Sequence, residues 1–172
     1  MMRLALGALA AVLVAPATDV PVRHPAAAGP PWISIEYPVN PHDPTTRDAV
    51  LLVHAFHHGT PMQFPVSGTA EGIVDDRRQS VKLEFTSTSR TGVYALRRQW
   101  ATDGTWTLLI SVRQSDRELD VATAVVDLSP SGEVAAVQVP VRRQGQWSIP
   151  EPVRMSDVEA GLQRRATALA RR

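Results

Sequence analysis

The sequence predicts an all-β fold, an antiparallel sandwich of about seven or eight strands followed by a C-terminal α-helix. Three observations carry this reading. Short apolar or alternating segments recur from Trp32 to Val141, separated by clusters of Gly, Pro and Asp. Apolar residues repeat at helical spacing only near the C-terminus, from Val158 onward. The chain has 172 residues, 44% hydrophobic and 20% charged, which suits one domain with a real core. A closed barrel has the same periodicity and remains an alternative.

The segment 32–37 (Trp-Ile-Ser-Ile-Glu-Tyr) alternates and opens the first strand. Residues 39–48 follow as a Pro-rich loop. Ala49 to Phe56 is nearly continuous in apolar residues, which suits a central strand. Val66 to Val74 is the next strand, interrupted by Gly68 and Gly72. Asp75-Asp76-Arg77-Arg78 reads as a hairpin turn. Gln79 to Thr86 then places Val81, Leu83 and Phe85 on one face.

Gly92 to Trp100 and Gly104 to Val112 are expected to form a hairpin through Asp103-Gly104. Leu119 to Leu128 and Glu133 to Val141 form a further pair, joined by Ser129-Pro130-Ser131-Gly132. Pro140 cannot donate to a ladder, so the last strand is expected at an edge or to end there. Together these strands make up a sandwich domain over residues 32–150. In the C-terminal helix, residues 155–172, Ser156 and Glu159 fit a capping box. Val158, Leu162, Ala166 and Leu169 form its apolar stripe, and Arg164, Arg165, Arg171 and Arg172 crowd its last turns.

The N-terminal residues read as an export signal. Met1-Met2-Arg3 is a short basic region, Leu4 to Val14 an apolar run, and Ala15-Pro16-Ala17 a small-residue cleavage site. The run is shorter than the ~20 residues needed to span a bilayer, so no stable span is expected after cleavage. Residues 18–31 are rich in Pro and Ala and read as a linker. The expected location is periplasmic or secreted. Cysteine is absent, which excludes disulfides, thiolate metal sites and a cysteine nucleophile. The formal charge is +1, and the arginines are interleaved with acids, so no nucleic-acid partner is expected.

Catalytic signatures are missing: there is no G-x-S-x-G, H-E-x-x-H or P-loop, and no S-x-x-K before Lys82. The expectation is a non-catalytic module with no resident cofactor and a protein partner in the cell envelope. Trp32, Tyr37 and Trp147 are its candidate partner-binding residues, because aromatic side chains combine large apolar area with a polar handle. Covering an end of the sandwich is the alternative role for such tryptophans.

Three of the five histidines lie within residues 54–58. Imidazole and thioether ligands together suit copper. The alternative function is therefore a copper-binding or copper-delivery protein using His57, His58 and Met62, with His54 and His42 as further candidate ligands. Against it stands a polar strand end with solvated histidines and Met62 as core filler. Asp43, Asp48, Asp75 and Asp76 lack the spacing of a calcium loop and suit turns instead.

Residues 91–96 (Thr-Gly-Val-Tyr-Ala-Leu) and 103–108 (Asp-Gly-Thr-Trp-Thr-Leu) place Tyr94 on one strand and Trp106 on the next, across a Gly turn. With His57-His58-Gly59-Thr60-Pro61-Met62 upstream, roughly residues 32–113 resemble the YtkA-like domains. The resemblance implies a small, exported, immunoglobulin-like domain of bacteria, and says more of fold and compartment than of activity.

Overall fold

The structure is a computed structural model that describes residues 29–171. The expected export signal, residues 1–17, and most of the expected linker lie outside the described residues. Twelve strand segments are followed by one helix: β1 (Trp32–Glu36), β2 (Leu51–His57), β3 (Thr60–Pro61), β4 (Val66–Val74), β5 (Arg77–Lys82), β6 (Thr86–Ser87), β7 (Val93–Leu96), β8 (Thr105–Arg113), β9 (Val121–Leu128), β10 (Val134–Gln138), β11 (Val141–Gln144), β12 (Trp147–Pro150) and α1 (Met155–Ala170).

All pairings are antiparallel and fall into two main sheets. The first runs β1-β2-β7-β6, with β3 added to β2; the second runs β10-β9-β8-β4-β5. This is a sandwich and not a closed barrel. Strand alternation explains the core directly. Ile33, Leu51, Val53, Ala55 and Leu96 face inward from the first sheet. Ala70, Trp106, Leu108, Ile110, Val112, Ala122, Ala124 and Val126 meet them from the second. As expected, Val81, Leu83 and Phe85 join this core, and β10 is an edge strand that ends before Pro140.

Three expectations about pairing require correction. The hairpin through Asp103-Gly104 does not form: β7 pairs with β2 and β6, whereas β8 pairs with β4 and β9. Residues 97–104 instead carry the chain from one sheet to the other and bury Trp100 between them. The expected strand from Gln79 to Thr86 divides the same way. Residues 77–82 pair in the second sheet, and Thr86–Ser87 pairs in the first. The turn before it is tighter than expected, with only Asp75 and Asp76 in the loop, both at positive φ. A separate hairpin, β11–β12, was not anticipated.

Helix α1 lies on the outer face of the second sheet. Val158 and Leu162 pack with Ile73 of β4, alongside Leu109, Val153 and Ala166. The capping box is absent. Arg154 occupies the cap position without a side-chain bond, and the Glu159 carboxylate is held by Arg78 of β5 at 2.7 Å. A tertiary ion pair has taken the group that the local motif required. Among the described residues no helix is long and apolar enough to cross a membrane.

Candidate functional site

The histidine segment sits where β2 ends. Along β2 the faces alternate, so Val53, Ala55 and His57 point inward and His54 and Phe56 point outward. The His54 and Phe56 rings stack at 5.9 Å on that outer face. His54 Nε2 is 2.7 Å from Glu36 Oε2 of the neighbouring strand, and the same oxygen accepts from Arg90 Nη1 at 3.2 Å. His54 is thereby committed to the face opposite His57, and the structure does not bring the two together as shared ligands.

His58 leaves the strand rule because it enters the turn with φ 48°. Its ring meets that of His57 at 4.2 Å, nearly perpendicular, and Phe64 lies edge-on to His57 at 6.5 Å. His57 Nε2 is buried and has no hydrogen-bond partner among the described residues. A buried nitrogen without a partner is costly unless something supplies one. Met62 follows β3 and is 36% exposed, its backbone N–H bound to Ala55 O. His42 lies in the 38–48 loop, its N–H bound to Asn40 Oδ1. Among the described residues no three His, Asp or Glu side chains are grouped to hold a metal ion. Of the candidate copper ligands, the structure brings together His57 and His58.

The candidate aromatic residues occupy different places. Trp32 opens β1, is 37% exposed, and stands opposite Phe56 in the β1–β2 register. Tyr37 follows the other end of β1, roughly 16 Å along the strand, and is 43% exposed. Trp147 belongs to the β11–β12 hairpin and is 74% exposed. Among the described residues no ring contact joins these three. Trp106 and Trp100 are core residues. Tyr94 packs against that core and donates from its hydroxyl to Phe64 O at 2.7 Å.

The acidic turn residues behave as turn chemistry requires. Asp43 Oδ1 accepts from the Thr45 hydroxyl at 2.6 Å and the Thr45 N–H at 2.9 Å. These bonds, the hydroxyl's first, hold its carboxyl below the usual range.

Sequence reasoning missed the polar groups beneath α1. Glu71 is 5% exposed on the outer face of β4. It accepts from Arg78 Nη2 at 2.6 Å and Ser80 Oγ at 2.9 Å. Burial pushes its carboxyl up, but the bonds from Thr69, Arg78 and Ser80 prevail and hold it low. Further along the helix, Arg165 reaches Asp127 of β9 at 2.9 Å and Trp106 O at 3.1 Å. Burial lowers the pKa of this guanidinium, and Asp127 opposes the shift. Beside the helix a cleft of 540 Å³ opens over Thr107 and Val125, with Asp127 and Asp157 facing Arg154 and Arg164. The signal for these contacts was the outward parity of Glu71, Arg78 and Asp127 along their strands. Comparison of the chain with protein-family models, with curated proteins and with solved structures gives no match.

Proposed function

We propose that this chain is an exported, non-catalytic binding or accessory module of the cell envelope, periplasmic or secreted, that engages a protein partner through Trp32 and Tyr37. The observation that carries the reading is the solvent exposure of both rings, 37% and 43%, on the framework of β1. A tryptophan held by a strand is an anchor at low entropic cost. The strongly placed titratable groups favour the non-catalytic reading. Glu71, Arg78 and Arg165 are engaged in seating α1, and Asp43 and Asp120 in shaping turns. The immunoglobulin-like, YtkA-like reading goes with this proposal and rests on the resemblance of residues 91–96 and 103–108, where Tyr94 packs against the core and Trp106 lies within it.

Site-specific photocrosslinking in the expressing cells tests this. A crosslinker at position 32 or 37 is expected to give a discrete protein adduct that one at exposed Lys82 does not. Absence of an adduct at both positions overturns the reading.

A second reading is copper binding, favoured by the buried His57 Nε2, without a partner among the described residues, beside the His58 ring. Its test is titration with Cu(II), and with Cu(I) under reductant, read by thermal shift. Saturable stabilisation at one equivalent, lost in the His57→Ala/His58→Ala double variant, supports it. A shift that survives both substitutions, or no shift, retires it.

A further inference from the structure

We propose that the β11–β12 hairpin is a docking element for an anionic phospholipid surface. This goes beyond the protein-binding reading and uses a different part of the molecule. The hairpin pairs Val141 with Pro150 and Gln144 with Trp147, and Gly145-Gln146 form its tip. All four residues of β11 are exposed. Trp147 is the most exposed large apolar side chain among the described residues, at 74%. Val141 and Met155, at the foot of the hairpin and the start of α1, are exposed as well.

The charge on the two strands and the tip has one sign. Residues 141–150 contain Arg142 and Arg143 and no acid; Glu151, whose N–H bonds Pro140 O at the foot of the hairpin, and then Arg154 follow. Across a neighbouring cavity, Asp120 is already held by Arg117 at 2.8 Å and by Ser115, so the hairpin itself carries the unbalanced cations. Tryptophan prefers the headgroup region of a bilayer, and arginines beside it are drawn to anionic lipid. The backbone groups between the two strands are satisfied by the ladder. The tip therefore enters an interface without orphaning them.

The test uses the protein as its cells deliver it, with the N-terminus determined by mass spectrometry. It is mixed with vesicles of phosphatidylcholine alone or with phosphatidylglycerol added. Binding is expected to the anionic vesicles, with a blue shift of tryptophan emission. Each arginine is expected to contribute about fivefold in affinity, so Arg142→Gln/Arg143→Gln binds more than tenfold more weakly by the same measure. Trp147→Ala is expected to lose the blue shift while keeping the thermal midpoint, because the ring is solvent-exposed. Equal binding to both vesicle types, equal binding by Trp147→Ala, or no binding overturns the proposal. Self-association that Trp147→Ala abolishes, without vesicle binding, also overturns it and assigns the hairpin to contact between copies. Loss of the photocrosslink at Trp32 or Tyr37 would leave this proposal standing, so the two readings fail separately.

Discussion

Arg165 of α1 places Nη2 2.9 Å from Oδ1 of Asp127 on β9, and the same carboxylate oxygen accepts from the Thr107 hydroxyl at 2.7 Å. Arg165 also donates to Thr107 Oγ1 and to the carbonyls of Trp106 and Leu128. With Glu71–Arg78–Glu159 nearer the helix start, two ionic contacts bracket the apolar seam of Ile73, Val158 and Leu162. The seam supplies nonspecific adhesion. The flanking charges select the position of the helix along the sheet, because each leaves an unpaired group if the helix slides.

The first prediction follows from that bracket. Arg165→Ala is expected to cost about 2–4 kcal/mol, since it leaves the Asp127 carboxylate without its cation, with only the Thr107 hydroxyl donating to it, and takes the Arg165 donor from two carbonyls. Denaturant unfolding measures the loss, and hydrogen exchange is expected to rise in α1 before it rises in β8. A double-mutant cycle with Asp127→Asn should show coupling of about 1 kcal/mol or more. Additive single losses would mean that Arg165 holds the helix through Thr107, the two carbonyls and packing, and not through Asp127.

Glu71 supplies a pH dependence. Its folded carboxyl is held below the ordinary value, burial opposing and the bonds from Thr69, Arg78 and Ser80 prevailing. The ionised form is therefore favoured by folding. Its contribution is complete above the ordinary glutamate pKa of about 4.3 and is lost as pH falls through the lower folded value. Glu71→Gln is expected to be about 1–2 kcal/mol less stable than wild type at pH 7. The gap should close as the medium is acidified below about pH 4. Denaturation of both proteins at several pH values reads the difference, and a gap independent of pH would contradict the assignment.

How much of this was legible differs by level. The inward faces of β2, β5, β8 and β9 could be read from alternation, because a one-residue shift would expose the whole apolar set. Sheet partners could not. The turn at Asp103-Gly104 carries a strong local hairpin signal, yet both Trp100 and Trp106 have to be buried, and residues 97–104 cross between sheets to do it. The opposition of His54 and His57 was implicit in strand parity. The meeting of His57 with His58 depended on the left-handed turn residue, which local composition only suggested. Arg165 looked like a complement to the helix dipole. Strand parity puts its partner Asp127 on the outer face, but both Asp127 and Thr107 are distant from Arg165 in sequence, so no local pattern could pair them with it.

The Trp106–Gly72 contact gives a prediction whose sign decides between two effects. A strand glycine replaced by alanine ordinarily gains about 0.5–1 kcal/mol from backbone entropy. A Cβ on Gly72 would lie 2.4 Å from Trp106 Cε3, and the indole is pinned by its own bond from Nε1 to Asp103 O at 2.7 Å. Gly72→Ala is therefore expected to destabilise by about 1–3 kcal/mol and to alter the near-UV circular dichroism of Trp106. Pairing it with Trp106→Leu should recover part of the loss. A stabilised single variant would show that the indole moves aside freely.

The turn between β4 and β5 offers a change in the opposite direction. Asp75 and Asp76 have φ of 48° and 58°, the backbone of a two-residue turn that favours Asn followed by Gly. Two adjacent carboxylates also repel each other there. Asp75→Asn/Asp76→Gly is expected to raise stability by about 0.5–1 kcal/mol, read as a shift of about 1–4 °C in the thermal midpoint. Because the loop length is unchanged, the Ile73–Arg78 register should persist and keep Arg78 within reach of Glu71 and Glu159. The gain should therefore add to the loss from Glu71→Gln within about 0.5 kcal/mol. A gain that vanishes in the Glu71→Gln background would mean that the turn stabilises the fold through the helix clamp.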